Sequence, residues 1–151
     1  METQPLLRCT LGILLAISLL ACEEATVSNG KRVKVNPNGS APLAMLMQSM
    51  TQHMKQVKAQ LQAEELPKPE DDFSQITQLP STPGLVPDTS SFNQLAREWL
   101  EKLDALHLSP PGEPREKAYL ETVDGCLQCH QSHCQGPIPM IQDLKKLPKT
   151  K

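Results

Sequence analysis

The chain has 151 residues, with 15 Lys+Arg against 17 Asp+Glu and a formal net charge of -2 at pH 7. That balance argues against a general nucleic-acid binder, whose footprint is a basic surface. Aromatic residues make up only 3%, too few for side chains alone to build a rich core, and five cysteines are an odd number for a disulfide framework.

Residues 11 to 20 read Leu-Gly-Ile-Leu-Leu-Ala-Ile-Ser-Leu-Leu, with Arg8 as a basic flank. This run is too short to span a bilayer but has the length of a signal-peptide core. It ends in Leu19-Leu20-Ala21-Cys22, which resembles a bacterial lipobox. The resemblance implies cleavage before Cys22, a lipid on that cysteine, and residence on the periplasmic side of the cell envelope. Glu23 rather than Asp follows Cys22, so the outer membrane is favoured. An ordinary secretory signal with an incidental cysteine is the competing reading. No later segment is long and apolar enough to cross a membrane, so acyl chains would be the anchor of an otherwise soluble protein. Three parts follow: a signal peptide over 1–21, a lipidated tether over 22–40, and a helical domain over 41–147. The tether contains Asn29-Gly30 and Asn36-Pro37-Asn38-Gly39 and reaches at most about 60 Å when stretched.

From Ala41 the pattern turns helical. Leu43, Met47, Met50, Met54, Val57 and Leu61 recur at steps of four and three, one apolar stripe on one face. Ser40 is placed to cap the start and Pro67 to end the pattern. Residues 67 to 91 are rich in proline, with one short helical candidate over 71–79 whose Phe73 and Ile76 face inward. A second long helix is expected over about 90–107, burying Phe92, Leu95, Ala96, Trp99, Leu103 and Leu106. Ser109-Pro110-Pro111-Gly112 breaks the chain. A third helix starts near Pro114, which the first helical turn tolerates, carries Tyr119, Val123, Cys126 and His130 on one face, and stops at Gly136-Pro137. A short terminal helix is expected over 138–147. No repeat or strand pattern is present. The expected fold is all-α, a small antiparallel bundle of three long helices and a short one.

The chemistry concentrates near the end of the chain. Cys9 leaves with the signal and Cys22 carries lipid, so Cys126, Cys129 and Cys134 remain. Cys126-Leu127-Gln128-Cys129-His130 matches the attachment signature of c-type haem. Two thiols three apart on a helix meet one edge of a porphyrin and add to its two vinyl groups. His130 then lies over the iron and donates an imidazole nitrogen. Two other readings compete. A thioredoxin-like pair uses the same cysteine spacing but expects a strand-to-helix setting. A zinc site recruiting Cys126, Cys129, His133 and Cys134 would crowd four ligands into nine residues.

Most small cytochromes c carry this motif near their start, whereas here it falls on the last long helix. With Cys134-Gln135-Gly136-Pro137-Ile138 after it and Leu43-Ala44-Met45-Leu46-Met47 upstream, residues 41 to 147 resemble the class II cytochromes c, the cytochrome c-prime group. The resemblance implies a four-helix bundle with one covalently bound haem c per chain, and pairing of chains as a homodimer. The short, proline-rich middle departs from the pattern and suggests a vestigial second helix. No arginine stands in the first helix, where relatives often place one near a haem propionate; Lys55, Lys58 and Arg97 are substitute candidates.

The resemblance also implies that the first helix supplies the group opposite His130, either a methionine ligand or an apolar side chain that leaves the iron open. Met50 is the first candidate, then Met47 and Met54, against the plainer reading of a methionine-rich core stripe. His53 would instead give a bis-histidine site. His133 shares the ring side of His130, Met140 is too close in sequence, and His107 reads as an ordinary polar residue near a helix end. Cys134, four residues after His130, is placed to pack near the haem edge; the plainer reading is a buried, inert thiol, and an intermolecular disulfide is a lesser alternative. Lys145, Lys146, Lys149 and Lys151 form either a docking patch for an acidic partner or a solvated tail.

The expected function is a one-electron carrier held by its lipid beside redox partner proteins of a respiratory chain. The alternative is an open, five-coordinate haem that captures nitric oxide or a similar gas. A weaker third is a non-haem metal-binding lipoprotein. No paired acid and base marks a pocket, so no enzyme is expected.

Overall fold

The computed structural model describes residues 41–85 and 88–148. The signal segment, Cys22, the tether and Ser40 lie outside the described residues, as do Lys149 and Lys151. Among the described residues the chain is all-helical: α1 Pro42–Ala59, a 3-10 turn Phe73–Thr77, α2 Thr89–Leu108, α3 Glu113–His133 and α4 Ile138–Leu144. No helix among them is long and apolar enough to cross a membrane.

Helix α1 begins with Pro42 in its first turn and Ala41 at the cap position, which makes no side-chain cap. Proline is tolerated there because that N–H has no intrahelical partner anyway. Its buried face is Leu43, Leu46, Met50, His53, Met54 and Val57. The face is centred on Met50 and Val57; Leu46 widens the stripe, His53 is buried at the same margin, and Met47 on the other side is half-buried. The helix stops at Ala59, well before Pro67, and Leu61 stays buried in the turn that follows.

The proline-rich return carries only the 3-10 turn, capped by Asp72, whose carboxylate accepts from the Ser74 N–H. Phe73 and Ile76 are buried, as their spacing suggests. The Leu43 N–H donates to the Pro80 carbonyl at 3.2 Å, tying the end of this return to the first turn of α1.

Asp88 caps α2 by accepting from the N–H groups of Ser90 and Ser91, the device that satisfies orphan donors at a helix start. Pro110 and Pro111 then force a break. Gly112 turns the chain at φ +95°, a conformation that favours glycine. Helix α3 runs back antiparallel to α2. Ser91 meets His133 at one end, Thr122 donates to the Lys102 carbonyl midway, and Arg115 donates to the Ser109 carbonyl at the other. Helix α3 ends at His133, with Cys134 extended at φ -154°. That is within about a residue of the end expected from Gly136 as the residue past the helix, and the Cys134 carbonyl turns back to the ring of His130. Helix α4 is shorter than 138–147 and folds back on α3, where Tyr119 donates to the Leu144 carbonyl at 3.1 Å.

Arg115 locks the far end of the bundle. It is 3% exposed, and its guanidinium donates to the carbonyls of Ser109, Leu61, Ala63 and Glu64. Three of these carbonyls lie in the turn that follows α1. The turn after α1 thus meets the start of α3. Helices α2 and α3 pack along their length, whereas α1 rests chiefly on α4 and the 3-10 turn.

Candidate functional site

The last turns of α3 gather Cys126, Cys129, His130, His133 and Cys134, all half-buried. Cys126 and Cys129 pack against the core. The cysteines are free thiols. Burial pushes the Cys126 thiol up to about 12 and the Cys129 thiol up to about 11. Both are therefore protonated at neutral pH. That weakens the thioredoxin-like reading, which needs a lowered thiol pKa. Among the described residues, no group of three or more His, Cys, Asp or Glu is arranged to hold a metal ion.

Each sulfur has a different setting. The indole Nε1–H of Trp99 donates to the Cys126 sulfur at 3.0 Å. The neighbouring charge that raises the Cys129 thiol further is Cys134.

His130 has its Nδ1 at 2.8 Å from the Cys134 carbonyl oxygen. A carbonyl only accepts, so Nδ1 carries the proton and Nε2 keeps its lone pair. Burial lowers the His130 pKa and holds the ring neutral. A neutral imidazole, fixed by a backbone carbonyl on one nitrogen and bare on the other, is the usual form of a metal-ligating histidine. These residues fit a c-type haem: two unpaired thiols facing apolar surroundings and, one residue on, an imidazole in the ligating tautomer.

His133 does not join them. Its Nε2 lies 3.0 Å from the Ser91 hydroxyl and its ring stands edge-on to Phe92, so it fastens α3 to the start of α2. Met140 is 42% exposed on α4.

Met50 and Met54 are buried and Met47 is half-buried. His53 is engaged elsewhere. Its Nε2 is 3.2 Å from Nε2 of His107, with the rings stacked, and Phe73 stands edge-on at 5.5 Å. His107 is thus half-buried against α1 rather than an ordinary end-of-helix residue, which the sequence pattern did not reveal. Burial, then the His107 charge, lowers the His53 pKa to about 4.

The basic candidates also move. Lys58 donates to the Asp143 carbonyl at 2.9 Å, while Lys55 and Arg97 are exposed. Lys145 pairs with Asp124 at 2.7 Å and Lys146 with Asp143 at 2.5 Å, so half of the expected lysine patch is paired with carboxylates. The sequence reading missed Lys102, whose ammonium lies beside Gly125. A cleft lined by Lys58, Leu61, Glu116 and Leu147 lies at the Arg115 end and includes none of the cysteines.

No family model, curated protein or solved structure matches the chain.

Proposed function

We propose that this protein is an exported, lipid-anchored mono-haem c-type cytochrome of the class II kind, which passes single electrons between redox partners at the cell envelope. The observation that carries the reading is the His130 Nδ1 to Cys134 carbonyl bond. It leaves Nε2 free in the residue that directly follows two unpaired thiols at the attachment spacing. Cys126 and Cys129 would hold the haem through thioethers, and His130 would ligate its iron. When bound, haem supplies reversible one-electron exchange at the iron. On the chain's side, burial keeps His130 neutral, and Met50 is the first candidate for the opposite face, ahead of Met47 and Met54. Cys22 would carry the lipid that holds the domain near membrane partners.

The test is a mass and an optical spectrum of protein purified from a host able to mature cytochromes. One haem of added mass and a sharp reduced alpha band support the electron carrier. A high-spin spectrum that shifts with nitric oxide or carbon monoxide supports an open iron and gas capture. A colourless chain without added mass overturns the haem reading.

A further inference from the structure

We propose that Trp99 is the positioning residue of the Cys126 sulfur, holding it from α2 through one N–H···S bond that persists after haem is attached. The inference rests on the haem reading above and deepens it, because it makes the two attachment sulfurs unequal. Trp99 is 3% exposed, and an indole N–H is a donor with no acceptor capacity of its own. Its partner is the Cys126 sulfur at 3.0 Å. Phe73 backs the ring with centroids 6.0 Å apart.

Gly125 explains how the indole gets there. A Cβ at that position would stand 3.2 Å from Cδ1 of Trp99 and 3.4 Å from Cδ of Lys102. Glycine inside a helix costs about 1 kcal/mol relative to alanine, and here it stands where the indole crosses α3 to reach the next residue. Among the described residues no hydrogen bond reaches the Cys129 sulfur, so α2 grips one attachment point and leaves the other.

Attachment leaves this bond intact. The thiol adds across a vinyl group: sulfur bonds the carbon next to the macrocycle, the thiol hydrogen goes to the terminal carbon, and no electron is gained or lost. The sulfur keeps its lone pairs, so the thioether still accepts from the indole.

The chain has one tryptophan, so the indole N–H gives one resonance in an isotope-labelled sample. The experiment uses reduced holoprotein under carbon monoxide, which keeps the iron diamagnetic whichever axial state it has. The expected result is an indole resonance displaced by the macrocycle and exchanging at least ~100-fold more slowly than free tryptophan. Cys129→Ala holoprotein keeps both features and Cys126→Ala holoprotein loses them. Haem present by mass with a fast-exchanging indole at the free position overturns the inference alone, as does protection that survives Cys126→Ala. Absence of haem mass overturns the inference together with the haem reading.

Discussion

The two ends of the α2–α3 hairpin solve the same problem in opposite ways. At the Arg115 end, one buried cation satisfies the carbonyls of two chain segments with four donated hydrogen bonds. That end is closed by the backbone of this chain. At the cysteine end the groups that matter are side chains: three free thiols, an imidazole with a bare Nε2, and a His133 Nδ1 buried without a partner. Arg115 and the turn from Cys126 to His130 are thus separated along α3 by roughly 17–23 Å at 1.5 Å per residue. A change at one end should leave the other largely unaffected.

The strongest way to break that contrast is Arg115→Ala. Hydrogen bonds to a charged group each contribute about 1.5–3 kcal/mol and do not add fully, so a loss of about 4 kcal/mol is expected in denaturant unfolding. Haem per folded chain should stay the same, since no contact of Arg115 reaches the cysteines. Arg115→Lys should recover only part, because an ammonium lacks the fork that reaches several carbonyls. Leu106→Ala follows, at about 3 kcal/mol. Leu106 is 0% exposed, and its α2 position lies one residue before His107, again at the closed end. If either variant changed the optical spectrum as much as the unfolding midpoint, the two ends would not be independent.

The histidine pair gives a pH test of the same end. The folded His53 pKa is about 4, below its ordinary 6.5. The unfolded chain therefore takes up the proton first as pH falls. The contribution of His53 is fully present above pH 6.5, is lost between 6.5 and about 4, and changes no further below that. His107 is lowered in the same direction, chiefly by burial. The unfolding midpoint should fall across this window, and His53→Leu should flatten that part of the profile. A profile equally steep in the variant would show that other groups set it.

What the sequence made legible follows from periodicity. The stripes of α1 and α2 and the 3-10 turn depend on local spacing, and the structure agrees with their existence and type. What it hid depends on contacts between distant segments. Arg115 looks like an ordinary charge in the first turn of a helix, and nothing local says it will meet Leu61 and Ala63 carbonyls. His53 and His107 are 54 residues apart, so their pairing had no local signal. The end of α3 was legible to within about a residue from Gly136 as the residue past the helix end, but the bond from the His130 ring to the Cys134 carbonyl was not. The signal that could have flagged the Trp99 contact was Gly125, a helix-weakening residue directly before Cys126.

Gly125 also offers the smallest and sharpest test. In an exposed helix Gly→Ala would stabilise by about 1 kcal/mol. Here the new methyl would lie 3.2 Å from the indole, close enough that Trp99 must shift by a few tenths of an ångström. The gain in helix propensity and the cost of moving a buried ring then nearly cancel, and unfolding should change by less than about 0.5 kcal/mol. The indole should respond far more than the stability does, with faster N–H exchange as its bond to the Cys126 sulfur lengthens. Stabilisation by the full helix-propensity increment, with the indole still protected, would mean that α2 yields freely there and that the grip on the first sulfur does not depend on the missing side chain.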